Sequence, residues 1–96
     1  MELRFTNQMI EWRGPAPFYY VPVPADESAM IKETARQTSY GWGVIPVIVR
    51  IGKTEFSTSL FPKDGAYLVP VKAAVRLPEK LSLGDEVEVS LEIDFF

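Results

Sequence analysis

The chain contains no cysteine and no histidine. No disulfide can staple the fold, so its stability must come from burial. The same absences exclude Ser–His and Cys–His nucleophile pairs and His-ligated zinc. A nucleophile or base would have to be Ser, Thr, Lys, Tyr or a carboxylate, and a bound cation would need oxygen ligands. Long apolar runs are missing too. The longest, Val44 to Val49, is interrupted by Pro46 and is far short of the ~20 residues of a membrane span. The opening MELRFTNQ lacks the basic-then-apolar layout of a signal peptide. These features lead us to expect a cytoplasmic protein with no membrane partner, no cofactor and no metal.

What is present suffices for a core. Ninety-six residues, 47% hydrophobic and 12% aromatic, can form one domain over residues 1–96. The net charge of −3 conceals an asymmetry. Val44 to Lys80 holds six bases against three acids, whereas Asp85 to Asp94 holds five acids and no base. A nucleic-acid binder usually carries a larger basic excess, but a local basic patch can form on an acidic chain.

Strand signals dominate. Leu3 to Trp12 reads as a first strand, with Leu3, Phe5 and Met9 on one parity and Ile10 and Trp12 on the other. Gly14-Pro15-Ala16-Pro17 is a turn, and Phe18 to Val23 a strand that Pro22 places at an edge or ends. Asp26 is a candidate N-cap for a helix over 26–37, with Met30, Ile31, Thr34 and Ala35 as its apolar stripe. Val44 to Ile51 is apolar on both parities up to Arg50, which implies burial on two sides. Gly52-Lys53 turns the chain into Thr54–Phe61, and Pro62-Lys63-Asp64-Gly65 turns it again into Ala66–Val71. A short helical turn is expected near 71–77, cut off by Pro78. The last strand is the clearest: Val87, Val89, Leu91, Ile93 and Phe95 alternate with Glu86, Glu88, Ser90, Glu92 and Asp94. The expected fold class is mostly all-β: six to seven short strands, one helix and one helical turn in a double-split β-barrel, whose closure would protect the sheet edges.

Four candidate sites emerge. Arg50, Lys63, Lys72 and Arg76 could converge on a phosphate or carboxylate, assisted by backbone donors of the Lys63–Gly65 turn. Trp42, between two glycines, is the aromatic best suited to gate or touch a ligand; Trp12, Tyr19, Tyr20, Tyr40 and Tyr67 read chiefly as core. Ser57 and Ser59 with Lys63 and Lys72 contain the residue types of a Ser–Lys pair, but nothing indicates a buried lysine. The acidic row of the last strand reads as a solvated face, since neighbours two apart stand ~7 Å from one another. The tail Ile93-Asp94-Phe95-Phe96 points towards self-association.

The order W…FYYVPVP, YGWGVIPV, TSLFPKDGAYLVPVKAAVR and LSLGDEVEVSLEID resembles the bacterial and archaeal family called domain of unknown function 1905. Trp12, Pro22, Pro24, Gly41, Trp42, Gly43, Ser59, Leu60, Pro62, Gly65, Pro70, Lys72, Arg76, Gly84, Asp85 and Val87 carry the resemblance. It implies a small split β-barrel and assigns no activity. The C-terminal third, YLVPVKAAVRLPEKLSLGDEVEVSLE, is similar to the half-barrel motif of AbrB and MazE transcription factors, which would imply a dimeric DNA-binding barrel. Here six residues separate Pro70 from Arg76, longer than that motif's usual interval, and Pro78 interrupts the helix. The leading functional expectation is a non-enzymatic binding or interaction module whose ligand the sequence does not identify, with no catalytic residue; a small anion and a second copy of the chain are its candidate partners. An AbrB-like nucleic-acid-binding regulator stands second. A small enzyme using Lys or Ser stands third.

Overall fold

A computed structural model describes residues 1–12, 18–37 and 45–94. Its strands are β1 (Glu2–Gln8), β2 (Ile10–Trp12), β3 (Phe18–Pro22), β4 (Ile45–Ile51), β5 (Thr54–Lys63), β6 (Ala66–Pro70) and β7 (Glu86–Glu92). Helix α1 spans Ala25–Arg36 and α2 spans Ala73–Arg76. All strand pairings are antiparallel, and the seven strands form one curled half-barrel sheet in the order β1-β7-β4-β5-β6-β3-β2. The architecture matches the mostly-β split barrel expected from the sequence.

The two outermost strands, β1 and β2, are consecutive in the chain and meet at Met9. The single long strand expected over 3–12 is therefore two strands. Met9 is buried; its N–H donates to the Asp85 carbonyl, and its own carbonyl accepts from the Gly84 N–H, both at 2.9 Å. The turn before β7 thus holds the chain where it changes partner from β7 to β3. Gly84 has φ +87°, a left-handed conformation that side chains disfavour. Asn7 Nδ2 spans the seam by donating to the Pro22 carbonyl at 3.0 Å. Pro22 ends β3, an interior strand rather than an edge. Val23 and Val71 make the flanking ladder bonds to β6 and β3, so Pro22 turns its missing N–H towards the seam, where no ladder bond is lost.

The concave face is the core. Val87, Val89, Leu91 and Ile93 pack with Phe5, Val21, Val47, Val49, Leu60 and Val69, and α1 adds Ile31 and Ala35. β4 is buried on one face only, contrary to the sequence expectation: Ile45, Val47, Val49 and Ile51 face in, while Pro46, Ile48 and Arg50 are exposed. A one-layer curled sheet has an inside and an outside, and the helices cover only part of the inside. The helix starts one residue before Asp26, with Pro24 at the cap and Asp26 and Glu27 in the first turn, where they complement the helix dipole. Its buried line is Ser28, Ile31 and Ala35; Met30 faces solvent. The buried Ser28 hydroxyl donates to the Val23 carbonyl at 3.0 Å and accepts from the Tyr67 N–H at 3.3 Å, fixing α1 to β3 and β6. β5 runs through Pro62 to Lys63, so the turn shrinks to Asp64-Gly65, both with positive φ.

Candidate functional site

The end of β5, the Asp64-Gly65 turn and the start of β6 lie beside α1 and enclose a cleft of ≈ 730 Å³. Its walls carry Lys32 and Arg36 from α1 and Lys63 from β5, with Asp64 as the single acid and Tyr67 among the apolar lining. Lys32 and Arg36 are four residues apart, so one helix face delivers both charges. The Arg36 guanidinium lies 3.4 Å from the Glu33 carboxylate, with both groups largely in water, a pairing that holds Arg36 only weakly. The Lys63 ammonium sits over the Trp12 ring, 2.7 Å from its centroid, which fixes the position of that cation. Burial pushes the Tyr67 phenol above its ordinary pKa, so at neutral pH it is an uncharged polar group.

A second cleft, of ≈ 350 Å³, lies on the outer face of β1, β7 and β4. Arg4 and Arg50 flank Ser90 in register across the three strands. Glu2, Glu55 and Glu92 line the same cleft, and Arg50 Nη2 is 3.6 Å from Glu55 Oε1. Acids outnumber bases there, so the local field opposes an anion.

The four cations singled out from sequence are thus placed apart. Arg50 lines the smaller cleft and Lys63 the larger. Arg76 lays its guanidinium over Tyr19, with Cζ 4.4 Å from the ring centroid, and its Nε is buried without a hydrogen-bond partner. Lys72 occupies the N-cap position of the four-residue α2 and is exposed. Trp42 and Tyr40 lie outside the described residues, as do Phe95 and Phe96. Tyr67 is buried as expected and Tyr19 and Tyr20 are half-buried, but Trp12 is exposed. Ser57 is exposed and Ser59 half-buried on β5; about 13 Å of extended strand separates Ser59 from Lys63. Among the described residues, no group of three or more acidic side chains is placed to hold a metal ion.

Sequence reasoning missed Lys32 and did not assign Arg36 to a site. Their i, i+4 spacing on the helix was a usable signal, but the docking of α1 beside the β5–β6 turn is not a local property. The pattern of the family described as Domain of unknown function (DUF1905) matches residues 5–91. The chain belongs to the DUF1905 family. The match takes in all or part of each of the seven strands, and the curled half-barrel sheet agrees with the small split β-barrel that the resemblance implied. No curated protein matches the chain. DUF1905 membership assigns neither reaction nor ligand, and no helix among the described residues is long and apolar enough to cross a membrane.

Proposed function

We propose that this DUF1905 chain is a non-enzymatic binding module for a small organic anion, held in the cleft between α1 and the β5–β6 turn. One observation carries the reading: Lys32, Arg36 and Lys63, drawn from two separate elements, line one cleft with a single acid. The apolar part of the lining suits a ligand with a nonpolar body as well as a charged end. Phenyl phosphate and benzoate are suitable probes, with inorganic phosphate as the comparison. Phenyl phosphate should raise the melting temperature more than inorganic phosphate does, because binding to the native state stabilises it by mass action. The double variant Arg36→Ala/Lys63→Ala should lose the shift, while Arg50→Ala should keep it. Equal shifts in all three proteins would overturn the assignment of the cleft.

The AbrB-like reading has less support. It requires Lys72 and Arg76 to reach a duplex together, and Arg76 is instead laid over Tyr19.

A further inference from the structure

The outer face of β2, β3, β6 and β5 is unlike the rest of the surface. Cross-strand pairs place Ile10 opposite Tyr20 and Trp12 opposite Phe18, and Tyr20 meets the Phe61 ring edge-on at 6.2 Å. Phe18 and Tyr20 rings lie 6.5 Å apart. The row continues through Pro22, Leu68 and Phe61, which are in register, and Tyr20 pairs with Pro70. Among the described residues of this face, Lys63 is the single base, at the rim over Trp12, and Glu55 the single acid, at the opposite end of β5 where it pairs with Arg50. Ile10, Trp12, Phe18 and Phe61 are 36%, 43%, 57% and 47% exposed. At ~200 Å² per large side chain, these four leave on the order of 350 Å² of apolar surface in water, within the range of the largest, often functional, patch on a small protein.

We infer that this face packs against the same face of a second copy, forming a two-fold dimer. Aromatic enrichment with almost no charge is the composition of an interface centre. The exposed area of four side chains is already close to half of the ~800 Å² per partner that a stable interface buries, before their neighbours are counted. A two-fold contact sets the apolar face on itself and brings no row of like charges together. Two sheet faces can pack ~10 Å apart in this way. A single-stranded nucleic acid would stack on such rings but requires a basic track along them, and this face offers one lysine. Glu86, Glu88 and Glu92 on the outside of β7 remain in water, which disfavours growth beyond the dimer.

Light scattering coupled to size exclusion, over a range of protein concentrations, tests the inference. The wild-type chain should reach twice the 10.8 kDa chain mass. Phe18→Glu/Phe61→Glu should run as a monomer with an unchanged far-ultraviolet circular dichroism spectrum. If that variant does not fold, the milder Phe61→Ser should still raise the dimer dissociation constant about tenfold or more, as loss of a central aromatic anchor does. A wild-type chain that stays monomeric at every concentration would overturn the inference, whether or not it binds an oligonucleotide or another protein. So would a dimer that persists unchanged in the folded variants.

Discussion

Tyr67 shows how one residue can serve both packing and the cleft. Its backbone N–H binds the Ser28 hydroxyl, its carbonyl accepts from Val23, and its side chain is buried beside the cations of the cleft. Desolvation raises its pKa above the ordinary 10.0. The folded state therefore keeps its phenol proton to higher pH than the unfolded chain does. The linkage sign follows: as pH rises past about 10, the unfolded state loses protons first and stability falls, levelling only above the folded pKa. Tyr67→Phe should flatten that part of the profile. Urea titrations of both proteins from pH 8 to 11 on the order of half-unit steps would show it, and parallel profiles would refute a buried phenol. Gly52 illustrates a different constraint. Its φ is +59°, and a Cβ there would collide with the Glu79 carboxylate. That carboxylate accepts from Thr54 Oγ1 at 2.6 Å and from the Lys53 N–H at 3.3 Å, so a side chain at position 52 would have to adopt a disfavoured φ and also displace a carboxylate that bonds the turn.

Among the elements, α2 has the least to hold it. It is four residues long, with buried Val75 and the Arg76–Tyr19 contact as its anchors. A cation over an aromatic ring contributes about 0.5–2 kcal/mol, while a buried donor without a partner costs about 1–3 kcal/mol. For Arg76 these terms offset each other, which leaves the apolar cover over Tyr19 as its main contribution. Arg76→Ala should therefore destabilise by about 1 kcal/mol, and Arg76→Met should recover most of that loss. Chemical denaturation of both variants decides the matter: a methionine variant as weak as the alanine one would mean that the charge holds the element. The same scale explains which elements were legible in sequence. β7 alternates cleanly because one side of it is core and the other water. The Asp64-Gly65 turn follows from the residues that tolerate positive φ. The cap of α1 was misplaced by two residues because Asp26 has the chemistry of a cap, whereas Pro24 takes the position and leaves Asp26 in the first turn to face the dipole.

For the whole molecule, the seam matters most. β1 and β2 terminate the sheet on opposite sides yet are joined at Met9, so closing the curl and burying Met9 are one event. Met9→Ala should cost about 2–5 kcal/mol and shift the whole unfolding transition. Hydrogen exchange should show lowered protection across β7 and β3 together; loosening confined to β2 would contradict this view. The charge asymmetry also takes on a spatial meaning at this scale. The acids of β7 lie on the outside of one half of the sheet, and the basic cleft lies at the far end of the other half beside α1. Three of its lining charges, Lys32, Arg36 and Lys63, are scattered over thirty or so positions of sequence, which is why the residues first singled out share only Lys63 with it.

By itself the sequence determined the strand periodicity, the tight turns, the short helices and the split-barrel class. Each of these rests on interactions between residues a few positions apart: alternation across a pleat, φ preferences of glycine and proline, charge at helix ends. Tertiary structure decided which parity of β2, β3 and β4 faced water, where the first strand broke, and which cations share a cleft. Those outcomes depend on pairings between distant segments, β1 with β7 and α1 with β6. Ile10, Trp12, Phe18 and Phe61 are apolar enough for a core, and only the curl of the sheet places them outside it.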